Sequence, residues 1–299
     1  MNRFRKEEIS ASNAVLDVLP TPFSWSVSRH LLFHQCRRAY FLHYYFAQGG
    51  WDPYADPLIR FAWIVKKSTD YREWLELQLE KILRFSFDTL RNVPPIFRLK
   101  MLSVRIQARL TVLERDWNEN QNSHFDKNRA IRDLKSALIS FLNTDICKAI
   151  TSAQNITLFN KAFKPSFLFG NTELWYNPGL IWREGNTLVS LRIHFQKPDA
   201  EFIQAESDMF ALSALLHTKT TDTISFFLYP EGENWQEIQY RGDSLRGRKR
   251  ILSDTDKMQR LSSGERVCMT DFPAAEEDVC RFCRFSGVCA SIAEQFGEI

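Results

Sequence analysis

The sequence has no apolar run long enough to cross a bilayer. Its densest aromatic stretch, AYFLHYYFA at 39–47, falls far short of the ~20 residues a spanning helix needs. The N-terminal segment MNRFRKEEIS lacks the apolar core of a secretory signal, so a cytoplasmic protein with no membrane partner is expected. Charge of one sign is also missing. Lys plus Arg number 39 against 36 Asp plus Glu, a net of +3, so any attraction to nucleic acid must come from local clusters. There is no internal repeat and no low-complexity segment. What is present, 44% hydrophobic and 13% aromatic residues over 299 positions, is enough to bury a large core and excludes a disordered chain.

Periodicity divides the chain. Residues 24–46, SWSVSRHLLFHQCRRAYFLHYYF, begin with serines able to cap a helix and continue as a dense apolar run, which predicts one buried helix. From about 57 to 145 the pattern is helical. Leu99, Leu102, Ile106, Leu110, Leu113 and Trp117 recur at steps of three and four, with Arg98, Arg105, Arg109 and Arg115 off that stripe. NENQNSHFDKN reads as a polar loop, and Ile131, Leu134 and Leu138 open a further helix. After Pro165 the period shortens. SFLFG, TELWY, GLIW, TLVSLRIHF and TISFFLY are β-rich runs separated by turn residues, and EFIQAESDMFALSALLH between the last two reads as a helix on the sheet. The expectation is a single α/β domain over 1–299 with a helical insert at about 57–145 and a core at about 165–230.

Six cysteines are few, but CRFCRFSGVC concentrates three of them, Cys280, Cys283 and Cys289, at C-x2-C-x5-C spacing. In a reducing compartment such spacing favours a metal or cluster over disulfides. A fourth ligand is needed for tetrahedral zinc or for a [4Fe–4S] cluster. Cys36, set in the aromatic N-terminal run, is the candidate, while Cys147 and Cys268 read as ordinary small residues. Zinc stays open as the alternative, although short zinc sites usually draw their ligands from two local pairs.

SWSVSRHLLFHQCRRAYFLHYYFAQGGW together with DFPAAEEDVCRFCRFSGVC resembles the RecB-like PD-(D/E)xK nucleases that carry an iron–sulfur cluster, including the CRISPR-associated exonucleases and the AddB nuclease domain. The resemblance covers nearly the whole chain, and its most specific part is the cysteine frame. It implies a restriction-endonuclease-like mixed sheet flanked by helices and a structural [4Fe–4S] cluster on Cys36, Cys280, Cys283 and Cys289 that joins the two ends of the chain.

The catalytic positions depart from that pattern. Family members cut DNA with divalent metal held by carboxylates and a helical histidine, beside a lysine that orients or activates water. Here Gly179, in Asn177-Pro178-Gly179-Leu180-Ile181, stands where the first aspartate belongs. Arg192 and His194 stand where the second acid and the lysine belong. YREWLELQLEKIL contains no histidine, and Glu76 is its nearest polar match. The Q-x-x-x-Y motif becomes Glu206-Ser207-Asp208-Met209-Phe210. Mg²⁺ or Mn²⁺ binding is therefore not expected. Glu173, Glu184, Asp199, Glu206 and Asp208 read as solvated or helix-capping acids, and His30, His34 and His43 as aromatic packing and surface polarity rather than ligands.

A basic segment, YRGDSLRGRKRILSDTDKMQRL, carries Arg246, Arg248, Lys249 and Arg250, residues suited to sequence-independent phosphate contacts. Three functions fit: a catalytically inactive iron–sulfur nuclease-like subunit that binds DNA or scaffolds a DNA-processing or defence complex beside a helicase or an active nuclease; a metal-dependent exonuclease with unconventional ligands; and a protein-interaction module without DNA contact.

Overall fold

A computed structural model describes residues 17–18, 22–90, 92–117, 125–152, 157–158, 165–232, 234–262 and 267–296. In chain order, β1 (Asp17–Val18) and β2 (Ser24–Trp25) lead to α1 (Val27–Gln35) and α2 (Arg37–Phe41), which runs into a π-helical turn at Leu42–Phe46. Helices α3 (Pro57–Lys67), α4 (Tyr71–Asp88), α5 (Pro95–Arg115), α6 (Lys127–Leu142) and α7 (Asp145–Ser152) follow. Next come β3 (Thr157–Leu158), β4 (Ser166–Phe169), β5 (Thr172–Trp175), β6 (Leu180–Glu184), β7 (Thr187–Ile193), α8 (Ala200–Thr218), β8 (Thr223–Glu231) and β9 (Asn234–Tyr240). The chain closes with α9 (Ser244–Leu261), β10 (Val267–Cys268), α10 (Glu277–Cys280) and α11 (Ser286–Phe296). It is a mixed α/β protein, mostly helical, with small sheets.

The chain divides into two compact units. One takes residues up to Ser68, Ser166–Trp175 and Lys249 onward; the other takes Thr69–Pro165 and Tyr176–Arg248. The helical region expected as one insert is therefore shared out, α3 falling in the first unit and α4 to α7 in the second.

The second unit is built on a sheet ordered β3-β6-β7-β8-β9. Among the described residues its one parallel pair is β7 with β8, and α8 is the crossover between them, as a parallel connection requires. One apolar face of that sheet (Leu180, Trp182, Val189, Leu191, Leu228) shares a core with Leu79, Leu83, Leu102, Ile106, Leu110, Leu134, Leu138 and Phe141 of the helices. The stripe expected on α5 is thus buried at its centre, while Leu99 at its start is 40% exposed. Asp126 caps α6 by accepting the Arg129 N–H at 2.6 Å. The rest of the expected polar loop, 118–124, lies outside the described residues. The run NWQEIQY, which lacks the apolar alternation of the other strands, pairs antiparallel with β8 as β9.

The first unit corrects the expectation of one continuous N-terminal helix. Ser24 and Trp25 are instead strand residues paired with Glu173 and Leu174 of β5. The cap is Ser26, whose Oγ accepts the Arg29 N–H at 3.1 Å. A second break falls at Cys36, whose backbone is extended; its Sγ accepts the Ala39 N–H at 3.4 Å and so opens α2. The break turns Tyr40, Phe41, Tyr45 and Phe46 into a core shared with Phe272, Phe285, Val288 and Ile292 of the C-terminal segment. Phe41 and Phe272 sit 5.2 Å apart, and such aromatic pairs contribute about 1 kcal/mol beyond the area they bury.

Against that core lies His43, 4.5 Å from the Tyr44 ring and 5.9 Å from Phe285. Burial, then the charges of Lys66, Arg284, Arg29 and Lys67, push its imidazole down from 6.5 to about 4. A depressed histidine stays neutral in the folded state while the unfolded chain takes up a proton, so stability rises with pH across the gap. We expect the thermal midpoint to fall as pH is lowered from 6.5 towards 4. His43→Gln flattens that fall; an equal slope in both proteins would remove His43 as its source.

Candidate functional site

The second unit places Arg192, near the end of β7, among two carboxylates and a carbonyl. Its Nε donates to Glu206 Oε1 at 2.7 Å, its Nη1 donates to Glu80 Oε2 at 3.0 Å, and its Nη2 donates to the Asn177 carbonyl. Glu206 comes from α8 and Glu80 from α4. Glu80 is shared: its Oε1 also accepts from Arg84 at 2.7 Å. Arg84 in turn reaches the Asn177 side chain at 2.8 Å and the Gly179 carbonyl at 3.0 Å. Burial alone would lower the basicity of Arg192, but Glu206 and then Glu80 outweigh it and push the guanidinium upward. Two guanidinium groups and two carboxylates thus cancel charge for charge. The arginine occupies the point towards which both acids converge.

The other expected catalytic positions are closed by packing. A Cβ on Gly179 would lie 2.1 Å from the Leu191 carbonyl oxygen on the adjacent strand, a backbone contact that no side chain shift relieves. Gly179 therefore marks a close approach of β6 to β7 and has no room for an acid. His194 stacks on Phe227 at 6.3 Å and meets Phe202 edge-on at 5.1 Å, with Nδ1 3.4 Å from Glu76 Oε2. Glu76 is engaged elsewhere, accepting the Phe195 N–H at 2.8 Å. The helical acid that faces Arg192 is thus Glu80, one turn beyond Glu76. The ladder Glu76-Glu80-Arg84 at steps of four was the available signal for it.

The reading of the α8 acids divides. Asp199 does cap the helix, accepting the Phe202 N–H at 2.6 Å, and Glu184 is exposed. Glu206 and Asp208, expected to be solvated or capping, are instead buried. Asp208 is held by both arms of Arg246, at 2.6 and 2.7 Å, and by the Asp243 N–H at 2.8 Å. Arg246, first of the basic quartet, is therefore committed within the chain. Arg248 and Lys249 are exposed and Arg250 is half-buried.

In the first unit, Cys36, Cys283 and Cys289 border the aromatic core. Burial pushes the Cys289 thiol up to about 11; Arg38 opposes this, and Cys283, Cys36 and Cys280 add to it. Cys283 is raised by burial and by the nearness of Cys36 and Cys280. The four thiols thus sense one another, yet no three of their sulfurs come within 4.8 Å of one another. A zinc tetrahedron with ~2.3 Å bonds needs its sulfurs ~3.8 Å apart. Cys147 is fully buried in the other unit, its thiol pushed by desolvation to about 12. Among the described residues one compact ligand group does occur, His30, His34 and Asp254, all in the first unit.

No family profile matches the chain, and no characterised protein matches it in sequence. A solved structure described as "Crystal structure of SSO0001" aligns at TM-score 0.30 and 14% identity, over 72% of this chain and 94% of that one. Likeness this slight carries no argument. No helix of the described residues is long and apolar enough to cross a membrane.

Arg192→Ala leaves Glu80 and Glu206 facing each other without their shared cation. We expect a loss of roughly 3–5 kcal/mol in chemical denaturation, partly recovered by adding Glu206→Gln. Gly179→Asp should also destabilise, by about 1–3 kcal/mol, because the new Cβ pushes the strands apart. A gain of Mg²⁺ affinity without loss of stability in that variant would contradict the packing described.

Proposed function

We propose that the chain is a nuclease-like subunit whose catalytic metal has been supplanted by an internal ion-pair network, and that it serves a DNA-processing or defence assembly by binding DNA or scaffolding it. The observation that carries the reading is Arg192, bonded to both Glu80 and Glu206. A divalent ion would have to displace a permanent cation from that place. At ~4 Å and an effective dielectric of ~20, a divalent ion and an arginine repel by about 8 kcal/mol. In this reading the sheet with its α8 crossover is a degenerate restriction-endonuclease-like core.

The same proposal places a [4Fe–4S] cluster on Cys36, Cys280, Cys283 and Cys289. What supports this reading is the donor type and its setting: Cys36, Cys283 and Cys289 border the aromatic core, and Cys36, Cys280, Cys283 and the cationic Arg38 all act on the Cys289 thiol, although no three of the sulfurs lie within 4.8 Å of one another. Cys36 Sγ already accepts an N–H, the kind of bond that stabilises thiolate charge. When bound, such a cluster supplies a cross-link between the α1–α2 junction and the C-terminal segment. These cysteines would hold it, and Phe272 and Phe285 keep their surroundings dry.

Anaerobically purified protein is expected to be brown and to carry about four irons per chain. Cys283→Ser should lose that iron and much of its soluble yield, whereas Cys147→Ser keeps both. Stoichiometric zinc with no iron would refute the cluster. The iron-loaded protein is expected to leave single- and double-stranded DNA intact in Mg²⁺ or Mn²⁺; cleavage abolished by EDTA would refute the inactive reading.

DNA contact, in this proposal, runs through Arg248 and Lys249. Their joint replacement by alanine should lower the salt slope of oligonucleotide binding by roughly 2. Arg246→Ala should instead cost stability, roughly 3 kcal/mol, by stranding buried Asp208. A salt slope unchanged by the double replacement moves the surface elsewhere.

A further inference from the structure

Among the described residues, outside the cysteines and the Arg192 network, one cluster gathers groups capable of binding a metal. His30 and His34 stand four residues apart on α1, on one face of the helix, with ring centroids 4.6 Å apart. Asp254, on α9, reaches both: His30 Nδ1 lies 2.6 Å from its Oδ2 and His34 Nε2 2.9 Å from its Oδ1. The three ligand atoms all lie within 4.8 Å of one another. Trp25 Nε1–H donates to the same Asp254 Oδ2 at 3.0 Å, its ring 6.1 Å from that of His30, and so helps fix the carboxylate.

We propose that His30, His34 and Asp254 form a binding site for one divalent transition-metal ion of the zinc or ferrous type. Donors ~2.1 Å from a tetrahedral ion stand ~3.4 Å from one another; the two histidine–aspartate spacings are shorter, 2.6 and 2.9 Å, and all three ligand atoms lie within 4.8 Å. Small movements of rings already converged on one carboxylate would open the centre. Two imidazoles exclude Mg²⁺ and Ca²⁺, which take oxygen ligands, and favour zinc, iron, nickel or cobalt. Two histidines and one carboxylate leave further coordination positions, as exchangeable sites do. The approach lies along His34, whose side chain is 43% exposed, while those of His30 and Asp254 are only 6% and 3% exposed. Trp25 plays the orienting part that hydrogen bonds to ligating carboxylates play in metal sites.

The site does not depend on the cysteine frame, and cobalt separates the two. Co²⁺ on nitrogen and oxygen ligands gives weak visible bands, whereas Co²⁺ on thiolates adds intense sulfur-to-metal charge transfer in the near ultraviolet. The full-length chain, titrated with Co²⁺ and then competed with Zn²⁺, is expected to show one equivalent with the weak bands alone. His34→Gln, a change at a partly exposed position that circular dichroism should find folded, is expected to weaken that binding more than about 100-fold, beyond what loss of an outer hydrogen bond costs. Asp254→Asn should do the same if folded. Absence of binding, binding with thiolate bands only, or binding unchanged in His34→Gln would each overturn the proposal.

Discussion

One guanidinium group organises the second unit. Arg192 projects from β7 and is bonded to α4 through Glu80, to α8 through Glu206 and to the chain entering β6 through the Asn177 carbonyl. Few side chains could do this. A lysine presents one ammonium without the planar fork needed to meet separate acceptors at set angles. Removing these charges from water is costly, and the attraction in the interior repays that cost only when donors and acceptors are well matched. Here the match fixes where the helices sit on the sheet. The network defines the arrangement of the unit more than it adds to its stability.

How much of this could be read from the sequence varies by region. The five β-rich runs after Pro165 and the helix between the last two were plain, because apolar alternation and turn residues agree there. NWQEIQY escaped notice because polar residues occupy a strand whose pairing comes from β8 rather than from its own pattern. The N-terminal helix was drawn as continuous because apolar density hides a break. The start at Ser26 and the break at Cys36 are each set by a side chain, Oγ and Sγ, that accepts a backbone N–H three residues on, which composition does not report. At the site, the departures of Gly179, Arg192 and His194 from the resembled pattern were visible, but their partners were not. Glu80 is separated from Arg192 by more than a hundred positions, and Asp254 stands further still from His30. The histidines read as ordinary packing until the fold supplied a carboxylate.

The first unit follows a different principle. Its core packs a group of aromatic rings, among them Phe33, Tyr40, Phe41, Phe46 and Phe272, with aliphatic side chains such as Leu42, Met258 and Val288, and Cys36, Cys283 and Cys289 border it. Aromatic rings give low polarity without lone pairs that compete for a cation, and their bulk limits the approach of water. Such surroundings favour the neutral form of a thiol: those of Cys283 and Cys289 are both raised by burial. Metal binding and burial then oppose each other, and the pH dependence of any loading reflects that contest.

The ion-paired arginine also bears on how such a chain can change over generations. A metal ion leaves when its concentration falls, whereas a tethered guanidinium has an effective concentration that no chelator or dilution alters. Loss of Arg192 by itself would strand two acids, and an acid at 179 alone would collide with the backbone of β7. Each first step toward a metal centre is therefore unfavourable until a second has been taken. The arrangement acts as a ratchet that holds this place closed to metal ligands introduced one at a time.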